Sequence, residues 1–249
     1  MNSVRRIHVR CPNIANSALV PLSDEDLHHL TRVLRLGSGD KLLVIEGSLG
    51  LSAEAHLEEH EGRLAARICS PPTPTNQTSK VGHLIFALAK GDKNDLVLEK
   101  ACELGARSII LWQAERSVVK IEAKNIDAKL SRWQKICKAA AEQCGNPHIP
   151  RVSFATHQQE LMDELSKDLS PNDFKLICSL HKNSKPLREI HSPKGLVHLA
   201  VGPEGDFAPH EEELFISSGF LPISLGPRVL RCETAAIVAL AAVQSHWEV

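Results

Sequence analysis

The sequence predicts an α/β protein in which a small β-barrel precedes a mostly parallel sheet covered by helices. Three observations predict it. From about residue 80 onward, short apolar runs alternate with helical stretches, the pattern of strands buried on both faces and joined by crossover helices. Before residue 70, short β-type runs are punctuated by glycines. Between the two lies Ser70-Pro-Pro-Thr-Pro-Thr-Asn-Gln-Thr-Ser-Lys80, rich in proline and polar residues, which reads as an interdomain linker.

The N-terminal runs are Lys41-Leu-Leu-Val-Ile45 and Arg63-Leu-Ala-Ala-Arg-Ile68, set among Gly37, Gly39, Gly47, Gly50 and Gly62. After the linker, strands are expected at His83–Leu88, Ser108–Trp112, Phe174–Cys178, Leu196–Val201 and Leu221–Leu225. Val97, Ala101 and Leu104 recur at i, i+4 and i+7, which predicts a helix that Gly105 ends. A second helix carries the apolar stripe Leu130, Trp133, Cys137, Ala140 and Cys144. A third opens near Glu233 and runs through Ala242 or beyond.

Composition bounds the function. The chain has 249 residues, of which 43% are hydrophobic and 24% charged, proportions that suit a folded globular protein and exclude wholesale disorder. Uninterrupted apolar stretches fall short of the ~20 residues a membrane helix needs, and MNSVRRIHVRCP lacks the apolar core of a signal peptide, so a cytoplasmic protein without membrane contact is expected. The seven cysteines form no CxxC pair and the thirteen histidines no HExxH pattern, so neither a disulfide framework nor a metal site is expected. Net charge is only -1, yet residues 80 to 151 hold 13 basic and 8 acidic side chains. An anionic partner should lie against that part of the chain.

Three turns in the C-terminal half follow or lie near strands, where parallel α/β sheets bind ligands. The first is Leu180-His-Lys-Asn-Ser-Lys-Pro186. The second is Val201-Gly-Pro-Glu-Gly-Asp-Phe207, in which Gly202 and Gly205 let backbone approach a ligand and Pro203 stiffens the loop. The third, Leu225-Gly-Pro-Arg-Val-Leu-Arg-Cys-Glu-Thr-Ala-Ala236, opens the last helix. Glu233 suits the helix dipole there and Thr234 can cap, but Arg228 and Arg231 are disfavoured at a helix N-terminus unless an anion sits nearby. Lys90 and Lys93 repeat that oddity in Lys90-Gly-Asp-Lys-Asn-Asp95. Lys129, Arg132, Lys135 and Lys138, spaced by three, form a basic stripe on the second helix.

These segments together resemble one family. His29-Leu-Thr-Arg-Val-Leu-Arg35 with Gly39-Asp40 and Gly47, then Glu99-Lys-Ala-Cys-Glu-Leu-Gly105, Arg116-Ser117, Arg132-Trp133, Ala141-Glu-Gln-Cys-Gly145, Gly-Pro-Glu-Gly at 202–205 and Leu-Gly-Pro-Arg-Val-Leu-Arg-Cys-Glu-Thr-Ala at 225–235 are similar to the RsmE family of ribosomal RNA uridine-N3 methyltransferases in the SPOUT superfamily. One position departs: Asn146 stands where the family pattern commonly has arginine. The resemblance implies a PUA-like RNA-binding barrel over residues 1–72 and a SPOUT-type α/β methyltransferase domain over residues 80–249 with a C-terminal trefoil knot. It further implies a homodimer acting on small-subunit ribosomal RNA, in an assembled subunit, and S-adenosyl-L-methionine as cofactor.

By the same resemblance the cofactor cleft is made by Leu180 of the first loop and by Val201, Gly202, Pro203, Glu204 and Gly205 of the second. From the third come Leu225, Gly226, Val229, Leu230 and Arg231, with Glu233, Thr234 and Ala235 beyond them. Uracil N3 must lose its proton as the methyl arrives, so Arg228 and Arg231 are candidates to stabilise the developing charge and Glu204 the candidate to receive the proton. Arg32, Arg35, Lys90, Lys93, Arg132 and Lys135 are expected phosphate contacts. Two readings stay open beside this one: a ribose 2′-O-methyltransferase of the same superfamily, and a noncatalytic RNA-binding protein.

Overall fold

The computed structural model describes residues 5–75, 79–181, 184–191 and 193–247. Asn76, Gln77 and Thr78 of the expected linker, and Lys182 and Asn183 of the first loop, lie outside the described residues. The chain divides into two compact units, one formed by the N-terminal part together with Ala141–Ile149 and the other by the remainder.

In the first unit a path of hydrogen-bonded strands runs β1 (Arg6–His8), β3 (Lys41–Glu46), β4 (Leu51–His60), β5 (Arg63–Ile68), β2 (Leu19–Pro21), and β6 (Thr73–Pro74) pairs beside β4. β1 is parallel to β3 and the other pairs are antiparallel. On β4 the buried Ala53, Ala55 and Leu57 alternate with Glu54 and other less buried residues, the period of a strand with one face inward. Ile7 and Val20, from the two ends of the path, meet Leu42, Val44 and Leu57 in one core. The short helix α1 (Asp24–His28) starts at Ser23, whose Oγ accepts from Asp26 N at 3.1 Å while Asp26 Oδ2 accepts from Ser23 N at 3.3 Å. It runs on into one π-helical turn at His29–Val33 that buries Leu30 and leaves Arg32 exposed. β6 was not expected, because its Thr73 and Pro74 sit inside the proline-rich stretch; proline is tolerated there since the strand is only two residues long and exposed.

The second unit is a seven-stranded sheet ordered β11-β13-β10-β12-β7-β8-β9, and all six pairings are parallel. Its strands are β7 (Val81–Ala87), β8 (Ser108–Trp112), β9 (Arg151–Ala155), β10 (Phe174–Cys178), β11 (Lys185–Pro186), β12 (Val197–Val201) and β13 (Leu221–Ser224). Every residue of β7, β8 and β12 is buried, as strands covered on both faces require. The helices are α2 (Lys93–Glu103), α3 (Ile126–Cys144), α4 (Gln158–Ser166), α5 (Pro209–Ser217) and α6 (Cys232–Trp247). As expected, α2 ends at Gly105, whose φ of 79° is the left-handed conformation that terminates helices. Two expectations shift. β7 begins at Val81 rather than His83, and α6 begins at Cys232, which puts Thr234 inside its first turn rather than at its cap. β9, α4 and α5 were not read at all. Among the described residues no helix is long and apolar enough to cross a membrane, and no group of three or more His, Cys, Asp or Glu side chains is arranged to hold a metal.

At the N-terminal edge of this sheet two imidazoles are buried side by side, with ring centroids 4.9 Å apart. His83 N donates to His198 Nδ1 at 3.0 Å, so His198 carries its proton on Nε2, 3.1 Å from Asp173 Oδ2. His83 Nδ1 contacts Ser108 Oγ, while its Nε2 has no hydrogen-bond partner among the described residues and lies 3.9 Å from Asp168 Oδ2. Burial, aided by His198, pushes the His83 pKa down from 6.5 to about 4. An unfolded chain therefore takes up this proton below about pH 6.5 and the folded chain only near pH 4. Stability present above that window falls as pH drops through it, by up to about 3 kcal/mol for this group. Urea unfolding from pH 7 to 4 should show His83→Asn losing less stability over the window than the parent. Equal losses would place the acid sensitivity elsewhere.

Candidate active site

The loops that follow β10, β12 and β13 surround a cleft of about 730 Å³ at the C-terminal edge of the second unit's sheet. A parallel sheet forces this gathering, because each strand leaves by the same edge and only a crossover brings the chain back. Backbone shapes the cleft as much as side chains do. Gly202 is tightly packed: a Cβ there would lie 3.2 Å from both Asp206 Oδ1 and Phe207 N. Asp206 itself has φ 60° and its Oδ1 accepts from Phe207 N at 2.9 Å, which holds the tight turn. Outside it, Arg116 Nη1 donates to the carbonyls of Gly205 (3.1 Å) and Phe207 (3.2 Å).

A second brace is the carboxylate of Glu211, only 2% exposed. Its Oε2 accepts from Ala208 N at 2.9 Å, capping α5, and its Oε1 accepts from Glu115 N at 2.8 Å. One side chain thus ties the loop after β12 to the loop after β8. On the other rim Ser179 Oγ donates to Glu212 Oε1 at 2.5 Å and accepts from His181 N at 3.0 Å.

Charge is arranged around Lys93, the first residue of α2. Its Nζ lies 2.8 Å from Glu204 Oε1 and 3.5 Å from Glu233 Oε2, and Lys90 N donates to the same Glu204 oxygen at 3.1 Å. A cation at this helix N-terminus is tolerated because two carboxylates face it. Burial works against the charged form of Glu204, but the Lys93 ammonium and backbone N–H groups outweigh it and hold the pKa below the usual carboxylate range. Glu233 is lowered in the same way, against burial, by backbone, the Cys232 thiol and Lys93. Cys178 and Cys232 also line the cleft, and burial pushes both thiols up to about 12, so neither offers a thiolate nucleophile near neutral pH. By contrast the guanidiniums of Arg228 and Arg231 are exposed, line the cleft, and have no hydrogen-bond or ion-pair partner among the described residues.

The cleft brings together Leu180, all of Val201 to Gly205, and Leu225, Gly226, Arg228, Val229, Leu230, Arg231 and Ala235. Glu233 and Thr234 do not line it. α6 starts at Cys232, so Arg231, Cys232 and Ala235 share the face toward the cleft while Glu233 and Thr234 point elsewhere. Of the expected phosphate contacts, Arg32 and Arg35 belong to the first unit and are exposed, Arg35 with φ 57°. Lys90 is exposed, Lys93 is engaged as above, Arg132 donates through both terminal nitrogens to Asp95, and Lys135 is exposed on α3. Arg116 and Glu211 escaped the sequence reading as site residues. Glu211 had a detectable signal, three positions beyond Ala208 with Pro209 between, the spacing of a helix cap. Arg116 stood in a segment that carries the resemblance, but no local pattern marked its role, since its partners are carbonyls about ninety positions away.

Comparison with known proteins follows from this geometry. Residues 76–244 match the family described as an RNA methyltransferase domain, and residues 22–64 match the RNA methyltransferase PUA domain. The chain is 32% identical over 237 residues to the ribosomal RNA small subunit methyltransferase E of Bacillus subtilis, covering 91% of this chain and 90% of that one. Among solved structures it is similar to a methyltransferase of Legionella pneumophila with bound S-adenosylmethionine, at 34% identity, TM-score 0.85 and 98% of both chains. It is also similar to the ribosomal RNA small subunit methyltransferase E of Neisseria gonorrhoeae bound to S-adenosyl methionine, at 30% identity, TM-score 0.84 and 98% of both chains.

The Glu211 brace makes a direct prediction. In Glu211→Gln one of the two backbone N–H groups faces an amide NH₂ instead of an acceptor, which should cost about 1–3 kcal/mol. Denaturant unfolding of parent and variant measures it; a change within experimental error would mean that the two loops are held by other contacts.

Proposed function

This chain belongs to the ribosomal RNA small subunit methyltransferase E family, and we propose that it methylates N3 of a uridine in small-subunit ribosomal RNA with S-adenosyl-L-methionine as methyl donor. The observation that carries the proposal is the glycine-walled cleft at the C-terminal strand edge, faced by two guanidiniums without partners among the described residues. The residues present fit the cofactor. Main chain at Gly202, Gly205 and Gly226 offers close-range donors and acceptors for adenine and ribose, and Leu180, Val201, Leu225, Leu230 and Ala235 offer apolar surface for the ring. When bound, S-adenosyl-L-methionine supplies an electrophilic methyl group.

The remaining work falls to the chain. Uracil N3 is a weak acid, and as it gives up its proton negative charge spreads onto O2 and O4. Arg228 and Arg231 are suited to stabilise that charge, and one preorganised donor to a developing oxyanion is worth about two to three orders of magnitude in kcat elsewhere. Glu204 Oε1 is occupied by Lys93 and Lys90, which leaves Oε2 as the oxygen to receive the proton. Its lowered pKa keeps it ionised and ready to accept, though a weak base, so the proton passes on to solvent. Because N3 faces the opposite strand in a duplex, the target is unpaired or flipped out.

The first 72 residues serve in this proposal as the RNA-binding part, with Arg32 and Arg35 as phosphate contacts, and residues 80–249 as the catalytic part, with Lys90, Lys93, Arg132 and Lys135 beside the strand. The substrate is the assembled small subunit, in the cytoplasm. Two further features belong to the same reading. A homodimer is supported by Leu96 and Val238, exposed apolar residues on α2 and α6, helices that pack on one another. A trefoil knot is supported by β13 inserting in the sheet between β10 and β11, strands that precede it consecutively in the chain.

Incubating the protein with S-adenosyl-L-methionine and small subunits that lack the modification should place one methyl group on uracil N3, identified by nucleoside mass spectrometry and chromatography. A 2′-O-methyl nucleoside would reassign the target atom. Absence of both incorporation and cofactor binding would leave an RNA-binding protein. In Gly202→Val the branched side chain displaces Asp206 and Phe207, and calorimetry should detect at least a hundredfold loss of S-adenosyl-L-methionine affinity in a folded protein, roughly 3 kcal/mol by the usual conversion. Unchanged affinity would put the cofactor elsewhere.

A further inference from the structure

The loop after β7 has two sides. On one, Lys90 N and Lys93 Nζ grip Glu204 at the rim of the first cleft. On the other, Gly91, Asp92 and Asp95 line a separate cavity of about 600 Å³. Its opposite wall is the segment Val119–Glu122, and α3 closes it with Asn125, Ala128, Lys129, Arg132 and Trp133. Trp133 is 3% exposed, so only an edge of the indole reaches the cavity.

Both walls are held without help from a ligand. The Asn94 side chain accepts from Ala89 N at 3.0 Å and donates to Ala89 O at 2.7 Å, which locks the loop after β7. Opposite, Lys120 Nζ donates to Ala114 O at 3.0 Å and Gln113 Oε1 accepts from Ile121 N at 2.7 Å. Arg132 and Asp95 pair across the rim. The space is therefore preformed, and its volume is in the range that holds a single nucleotide-sized ligand.

The chemistry of the lining narrows the occupant. Val119, Ile121 and the edge of Trp133 give apolar contact, and the carboxylates of Asp92 and Glu122 are acceptors for ring N–H and amino groups. Lys129 and Arg132, the latter paired with Asp95, add positive charge to the same lining. A mixed site of this kind suits a base with its phosphate better than a free anion, which the carboxylates would repel. There is also a need for such a site. A cleft that recognises uracil alone cannot tell one uridine from another, so choice of position requires readout of neighbouring nucleotides.

We propose that this second cavity receives a nucleotide adjacent to the target in the substrate strand, with residues 89–95, which line it and hold Glu204 of the first cleft, aligning it. The proposal rests on the reading of the first cleft as the methyl-transfer site. Ala128 lies in the cavity wall on an exposed face of α3, so Ala128→Phe fills the space without disturbing the core. With small subunits lacking the modification as substrate, the variant should show KM for the subunit raised about tenfold, the scale of one lost base contact, at unchanged kcat and unchanged calorimetric affinity for S-adenosyl-L-methionine. Uridine and adenosine 5′-monophosphates titrated into the parent should change tryptophan fluorescence saturably, and the change should disappear in Trp133→Phe and in Ala128→Phe.

A parental KM in Ala128→Phe, or a fluorescence response that survives in it, would overturn the proposal. So would loss of cofactor affinity in that variant, which would assign the cavity to packing of residues 89–95. If the parent binds no S-adenosyl-L-methionine, the reading of the first cleft fails. The nucleotide titration still decides whether the second cavity binds a base.

Discussion

Seven parallel strands admit no hairpins, and that constraint organises everything else in the second unit. Each strand must be followed by a crossover, so the segments leaving β7, β8, β10, β12 and β13 emerge on one edge. Both cavities sit there, and the loop after β7 lines the second and holds Glu204 of the first. At the opposite edge the buried His83, His198 and Ser108 cluster with Asp173. The same architecture therefore separates a ligand-facing rim from an edge where buried imidazoles pack together.

Within the rim, the distribution of partners divides residues into those that hold shape and those left for chemistry. Lys93, Glu204 and Glu233 neutralise one another, Glu211 spends both oxygens on backbone N–H groups, and Arg116 is spent on carbonyls. Two arginines on the loop before α6 are the exception. Cations that burden a helix N-terminus without a carboxylate beside them are stable there only against an anion supplied from outside. Burial of the neighbouring Cys178 and Cys232 thiols raises both and disfavours their thiolate forms.

The first unit shows a similar economy around Asn146. Asn146 closes a turn: its Oδ1 accepts from His148 N at 2.9 Å, and its carbonyl lies 3.1 Å from His8 Nε2. Next to it Glu142 Oε1 accepts from His8 N at 3.1 Å, and Gly145 leaves no space for a side chain against Arg6. Residues 141–149 are thus bound to β1 as part of that unit, and Asn146 serves its local geometry.

What the sequence determined by itself was whatever rests on local pattern. Ser108–Trp112 and Phe174–Cys178 were read to the residue, and Leu196–Val201 to within one, because a strand covered on both faces must be a continuous apolar run. The three loops were legible because glycine, proline and misplaced cations mark unusual backbone and charge. β9 was missed because Arg151-Val-Ser-Phe-Ala155 is an edge strand with an exposed arginine, and α5 because Pro209-His-Glu-Glu-Glu-Leu-Phe-Ile-Ser217 has almost no apolar face. Tertiary structure alone decided that Lys93 meets Glu204 across 111 positions, that Glu211 spans two loops, that Glu233 and Thr234 turn away from the cleft, and that a second cavity exists. Periodicity reports which face of an element is buried, but which distant residue lies against that face is set by strand order, and no local pattern encodes strand order.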